Sequence, residues 1–175
     1  MPHLKNYAPD SFRPLIKAAD GLTLSQVCSI TGLEPSTVQN WVKRGFVARP
    51  VNKKYRVRHL SRIMLISLIR DSMKIESIGE LMKMVNGSAD DESDDIISED
   101  KLLEYFCVII DKVKVSPENG IEDTVRDCLG DYIPPSESAY SRLTDALCVM
   151  VNAYIASEYK KSAEVRFENM KSRAY

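Results

Sequence analysis

A chain of 175 residues, 44% hydrophobic and 28% charged, is long enough to bury one good core, or a small domain beside an accessory one. Its formal net charge of −1 conceals two halves of opposite sign: residues 1–70 carry twelve Lys or Arg against three acids, +9, and residues 71–175 carry twelve against twenty-two, −10. That asymmetry makes the near-neutral total a poor guide to partners and points to a nucleic-acid module joined to a part with another task.

The start of the chain, Met1 to Tyr7, has no apolar signal region, and the longest apolar runs, such as Ile63–Ile66, fall far short of the ~20 residues of a membrane span. A cytoplasmic protein without a membrane partner is expected. Cys28, Cys107, Cys128 and Cys148 stand 79, 21 and 20 residues apart, with no Cys-x-x-Cys, and the only histidines are His3 and His59. This spacing favours four reduced thiols packed as small hydrophobes over a redox-sensing pair, and offers no ligand set for a metal.

In chain order, Pro14–Ala19 reads as a short helix with Pro in its first turn, closed by Asp20-Gly21. Thr23 or Ser25 can cap the next helix, whose apolar positions are Leu24, Val27, Cys28 and Ile30, and Gly32 ends it. A further helix starts near Pro35-Ser36 and stops at Gly45. Val38, Trp41 and Val42 share its buried face, while Ser36, Gln39, Asn40, Lys43 and Arg44 share the other. Phe46-Val47, Val51 and Tyr55-Arg-Val57 then suggest a small two-stranded wing studded with cations.

Helices are expected over about 59–73, with Leu60, Ile63, Met64, Ile66, Leu68 and Ile69 apolar, and over about 75–85, with Ile78, Leu81, Met82 and Val85 buried. Gly87 to Asp95 is polar, acidic and without periodicity, so it reads as a solvated linker. Ser98 caps a helix reaching about Val115. A shorter one covers Ile121–Leu129, and from about Ser136 no Gly or Pro interrupts the chain. A helix of roughly 35 residues there would span about 50 Å.

The chemistry concentrates between Glu34 and Asp71, where no acid occurs and nine cations do: Lys43, Arg44, Arg49, Lys53, Lys54, Arg56, Arg58, Arg62 and Arg70. A folded surface of one positive sign faces a polyanion. A helix fits the major groove of B-DNA, where side-chain amides pair with adenine, so Gln39 and Asn40 are the candidate base readers. Lys43 and Arg44, one turn on, suit phosphates, as does the strip Lys53, Lys54, Arg56 and Arg58. The plain alternative is an amphipathic surface helix with a solvated polar face beside a solvated basic run. Trp41 is read as core, and His59 as a helix cap or a phosphate contact, since no nucleophile or orienting acid accompanies it in sequence. No glycine-rich phosphate loop is present, so no enzyme and no cofactor are expected.

Thr31-Gly-Leu33, Thr37-Val-Gln-Asn-Trp41 and Gly45-Phe-Val47, followed by Tyr55-Arg56 and two helices, resemble the DNA-binding domain of MerR-type transcription regulators over about residues 22–86. Arg49-Pro-Val-Asn-Lys-Lys-Tyr-Arg-Val-Arg-His-Leu60 is similar to the wing block of an uncharacterised bacterial family of MerR-like proteins whose members continue into an acidic helical region, and this is the closer likeness. Gln39 stands where that pattern usually has Arg, and Asn40 where it has an aromatic residue, so the base preference is not carried over. The acidic stretch after residue 86 also stands where MerR proteins continue into their dimerising coiled coil.

The resemblance and the residues together imply an all-α fold with a small β wing: a winged helix-turn-helix followed by a helical bundle with a long C-terminal helix. The expected units are an N-terminal extension over 1–21, the winged helix-turn-helix over 22–86, an acidic linker over 87–97 and a helical dimerisation or effector region over 98–175. The expected function is sequence-specific binding of double-stranded DNA by a homodimer acting in transcription, through Ser36, Thr37, Gln39, Asn40, Lys43, Arg44, Lys53, Lys54, Arg56 and Arg58. The alternative is a protein-interaction adaptor that reuses the winged fold, with its acidic half on a partner.

Overall fold

Eight α-helices make up the fold in the computed structural model, which describes residues 9–173: α1 Pro9–Ala18, α2 Leu24–Thr31, α3 Pro35–Lys43, α4 Val57–Ile69, α5 Ile75–Asn86, α6 Glu99–Val115, α7 Ile121–Cys128 and α8 Glu137–Arg173. A single 3-10 turn, Pro117–Asn119, joins α6 to α7. The reading of Met1 to Tyr7 lies outside the described residues, as do the first eight positions of the expected N-terminal extension and the last two of the C-terminal region.

Helix α4 is the hub. Every residue from His59 to Ile66 is buried, polar ones included. A helix buried on all sides needs neighbours on all sides, and α1, α2, α5, α6 and α8 all pack on it. One apolar cluster results, running from Phe12 and Ile16 of α1 through Val27, Val38 and Trp41 to Phe106 of α6 and Tyr154 of α8. Phe106 and Tyr154 meet edge to face, with ring centroids 5.8 Å apart, the arrangement favoured by the ring quadrupoles.

Local signals set the α2–α3 pair. Thr23 caps α2 in a reciprocal capping box with Gln26, Gly32 closes it in the left-handed conformation at φ 70°, and the Gly32 N–H donates to the Cys28 carbonyl at 2.8 Å. Pro35 opens α3, where its missing N–H costs nothing. Helix α1 begins five residues earlier than expected. Pro9, not Pro14, takes the first helical position, and Pro14 lies within the helix.

The β wing is not formed. Among the described residues there is no strand, only two isolated bridges, Leu22 with Tyr55 and Val51 with Lys54. Asn52 and Lys53, at left-handed φ of 52° and 60°, make the two-residue turn that suits a hairpin, yet only Val51 and Lys54 pair across it. Two features of the chain prevent a longer hairpin. Tyr55 then exchanges both backbone bonds with Leu22, at 2.8 and 2.9 Å, instead of pairing with the segment before the turn. Helix α4 begins directly afterwards at Val57, so Val57 and Arg58 are helical rather than extended. The winged description is therefore replaced by an all-α fold with a tight basic turn.

The acidic segment 87–97 folds down onto the rest. The Ile96 N–H donates to the Val85 carbonyl at 3.0 Å, Asn86 bonds Ile97, and Ala89 and Ile97 are buried. Helix α8 would be about 55 Å long at 1.5 Å per residue. Its face from Ala139 to Ser157 is buried, and every described residue from Tyr159 onward is exposed. No helix among the described residues is long and apolar enough to cross a membrane.

Candidate nucleic-acid interface

Helix α3 presents the residues expected to meet DNA. Val38 is fully buried and Trp41 nearly so, which anchors one side of the helix, and Trp41 also lies under the Arg70 guanidinium at 5.8 Å. Ser36, Gln39, Asn40 and Lys43 are exposed on the other side, and Thr37 is half-buried. None of the Ser36, Gln39, Asn40 and Lys43 side chains makes a hydrogen bond or ion pair to another described residue. Arg44 is different: it pairs with Glu76 of α5 at 2.6 Å and stacks over Phe46 at 4.7 Å. The Arg44 bond holds the Glu76 carboxyl below the usual range.

The basic turn separates into spent and unspent cations. Lys53 sits at the tip, exposed and without an ion pair among the described residues. Lys54 lies back along the chain, with its Nζ on the carbonyls of Ala19 and Gly21 at 3.4 and 3.3 Å, so it caps the C-terminal end of α1. Arg56 pairs with Asp20 at 2.8 Å. Arg58 donates to the Ala89 carbonyl at 2.7 Å and pairs with Glu92, while Glu99 approaches its Nε at 3.4 Å. Arg62 is no surface cation at all: it is buried, 3.0 Å from Glu99 and 2.6 Å from the Phe46 carbonyl.

His59 acts as a cap. Its Nδ1 accepts from the Arg56 N–H at 2.9 Å, which leaves Nε2–H to donate to the Arg49 carbonyl at 3.2 Å. Burial holds the imidazole below its ordinary pKa, in keeping with a neutral ring whose Nδ1 must stay unprotonated.

Of the expected residues, the structure thus brings Ser36, Gln39, Asn40, Lys43 and Thr37 onto one helix and leaves Lys53 exposed at a turn. It directs Arg44, Lys54, Arg56 and Arg58 to partners within the chain. Sequence reasoning missed those partners, because Asp20, Glu76, Glu92 and Glu99 all lie outside the acid-free stretch. For Glu76, Glu92 and Glu99 the opposite charge of the two halves was the one signal of pairing, and for Asp20, within the basic half, there was none. It also missed Arg13 and Lys17 of α1, which stand beside Arg56 and Arg58 around one cleft. The cysteines are all free thiols, and burial pushes Cys107 up to about 12, so it is inert as a nucleophile. No group of three or more His, Cys, Asp or Glu suited to a metal occurs among the described residues.

Comparison with known proteins adds a family and one distant relative. The chain is 27% identical over 94 residues to the Uncharacterized protein YkrK of Bacillus subtilis (strain 168), an alignment spanning 51% of this chain and 40% of that protein. The chain therefore covers well under two thirds of that relative's length. No solved structure matches. Residues 19–106, from the end of α1 through the exposed face of α3 and the basic turn into α6, match the family described as Domain of unknown function (DUF1836), and the chain belongs to that family.

Proposed function

We propose that this protein binds double-stranded DNA through α3 and acts as a transcriptional regulator. The observation that carries the reading is the unspent polar face of α3. Ser36, Gln39, Asn40 and Lys43 point outward from a helix pinned by Val38 and Trp41, and none is committed to a partner in the chain. In this reading α3 lies in the major groove with Gln39 and Asn40 on base edges, while Lys43 and Lys53 meet phosphates. Arg44, whose partner Glu76 is exposed, can exchange it for a phosphate.

A nine-residue helix reads few base pairs, so two copies would bind a two-fold site. The free end of α8, where Tyr159, Phe167 and Met170 are exposed, offers apolar surface for a second copy. The same surface supports the second reading, an adaptor that docks another protein and does not bind DNA.

Fluorescence anisotropy with duplexes separates the two. Asn40→Ala is expected to weaken preferred sites selectively. Lys53→Ala is expected to weaken all duplexes alike and lower the salt slope by about 1. Equal losses from both variants on every duplex would remove Asn40 as a reader, and no binding at low salt would leave the adaptor.

A further inference from the structure

Away from the exposed face of α3, a cleft of about 470 Å³ opens between α1 and the start of α4. That size falls among small-molecule sites, which run from roughly 300 to 1,000 Å³. Four cations border it, Arg13 and Lys17 from α1 and Arg56 and Arg58 from the start of α4, against one acid, Glu92. Buried Ile16 and half-buried Val57 give it an apolar side.

Arg58 and Arg13 share one arrangement: an anchor behind and an exchangeable acid in front. Arg58 is held from within by the Ala89 carbonyl and by buried Glu99, and on the solvent side by Glu92, whose side chain is 65% exposed. Arg13 is held from within by Asp100 of α6 and on the solvent side by Asp10 at 3.2 Å, 82% exposed. Arg56 meets only an exposed acid, Asp20, 85% exposed. Exposed ion pairs add little to stability, so an incoming anion displaces these outer carboxylates at small cost and finds guanidinium groups already positioned. Guanidinium forks match phosphate oxygens as they match carboxylates, and a phosphate can engage several of them at once.

We propose that this cleft binds a phosphorylated small molecule of nucleoside diphosphate size, with Arg13, Lys17, Arg56 and Arg58 on its phosphates and its organic part against Ile16 and Val57. The Glu92 carboxylate is the internal anion that the ligand displaces.

The test is calorimetry of the full chain with ADP, with pyrophosphate and adenosine as the two halves of the probe, in low salt and without DNA. Binding is thus read independently of the DNA reading. ADP is expected to bind and adenosine not. Lys17→Ala and Arg56→Ala, both at exposed positions, are each expected to weaken ADP by about tenfold, the worth of a charge-assisted contact. Glu92→Gln is expected to tighten it severalfold, whereas Glu118→Gln, the same charge change beyond the far end of α6, leaves it within about twofold, since a distant surface charge acts weakly through water. Four results would each overturn the proposal. One is no heat from either phosphate compound with the parent and Glu92→Gln. A second is unchanged affinity in both cation variants, and a third is equal tightening by Glu92→Gln and Glu118→Gln. The last is displacement of ADP by non-specific duplex, which would assign the four cations to a DNA backbone.

Discussion

Arg62 and Glu99 meet at 3.0 Å with side chains 2% and 3% exposed, so a complete ion pair is buried where α4 packs on α6. Arg62 also donates through Nε to the Phe46 carbonyl at 2.6 Å, tying the segment after α3 to the same point. Burial depresses the Arg62 pKa and raises that of Glu99, each opposed by the attraction of the other. The pair joins the helix that follows the basic turn to the acidic half of the chain.

Removing one partner leaves a buried charge uncompensated. Glu99→Ala should therefore lower the unfolding free energy by about 3–5 kcal/mol. The double variant Arg62→Met, Glu99→Leu should recover most of that loss, because apolar side chains of similar length fill the space without desolvating a charge. Urea unfolding of the three proteins checks this, and a cost under about 1 kcal/mol for the single variant would contradict an uncompensated charge.

Asp95 gives the fold an unusual pH dependence. Burial, followed by the nearby Glu99 carboxylate, raises its pKa to about 6 from the ordinary 3.8, and its Oδ1 is buried without a hydrogen-bond partner. The folded state therefore binds this proton more tightly than the unfolded state does. The stability it contributes is complete below about pH 4 and is lost as pH rises through about 6. Asp95→Asn should stabilise the protein by about 1 kcal/mol at pH 7.5, after allowance for solvent screening of a partly exposed group. The gain should vanish by about pH 4, the ordinary range of an Asp carboxyl. Thermal melts of both proteins at pH 4, 6 and 7.5 read it, and a gain that persists unchanged at pH 4 would contradict the assignment.

Gly79 lies within α5, where Ala would ordinarily stabilise a helix. Here a Cβ would sit 2.6 and 2.7 Å from two carbons of the Phe46 ring. Gly79→Ala should therefore destabilise by about 1–3 kcal/mol through overpacking. Adding Phe46→Leu should relieve much of the clash, as read by the midpoint of urea unfolding. A stabilising Gly79→Ala would mean that Phe46 is free to move aside.

The left-handed pair in the basic turn separates charge from backbone. Lys53 holds φ 60°, a conformation that costs a side-chain-bearing residue about 1 kcal/mol. Lys53→Gly should thus gain up to about 1 kcal/mol in stability while weakening duplex binding as Lys53→Ala does. Chemical denaturation and anisotropy on the same variant check both halves, and full duplex affinity in Lys53→Gly would remove Lys53 from the phosphate contacts.

The sequence carried the helices better than the surface. Thr23, Gly32, Pro35 and Gly45 mark the α2–α3 pair because caps and breakers act within a few residues, and the α8 span followed from the absence of Gly and Pro. The wing failed for the converse reason. Alternation across Tyr55, Arg56 and Val57 is too short to tell a strand from the entry to a helix. What decided it was the long-range pairing of Tyr55 with Leu22, together with the start of α4 at Val57. The cationic stretch 43–70 was legible as composition. Which cations stay free was not, since Asp20, Glu76, Glu92 and Glu99 reach them only through the tertiary fold.

The most direct test of the account is selection from a random duplex pool by the full chain at two salt concentrations, with the bound fraction sequenced. The account predicts an enriched motif of two-fold symmetry, salt-sensitive affinity and loss of the motif's preference in Asn40→Ala. Absence of binding at low salt, or binding without any enriched sequence, would contradict it.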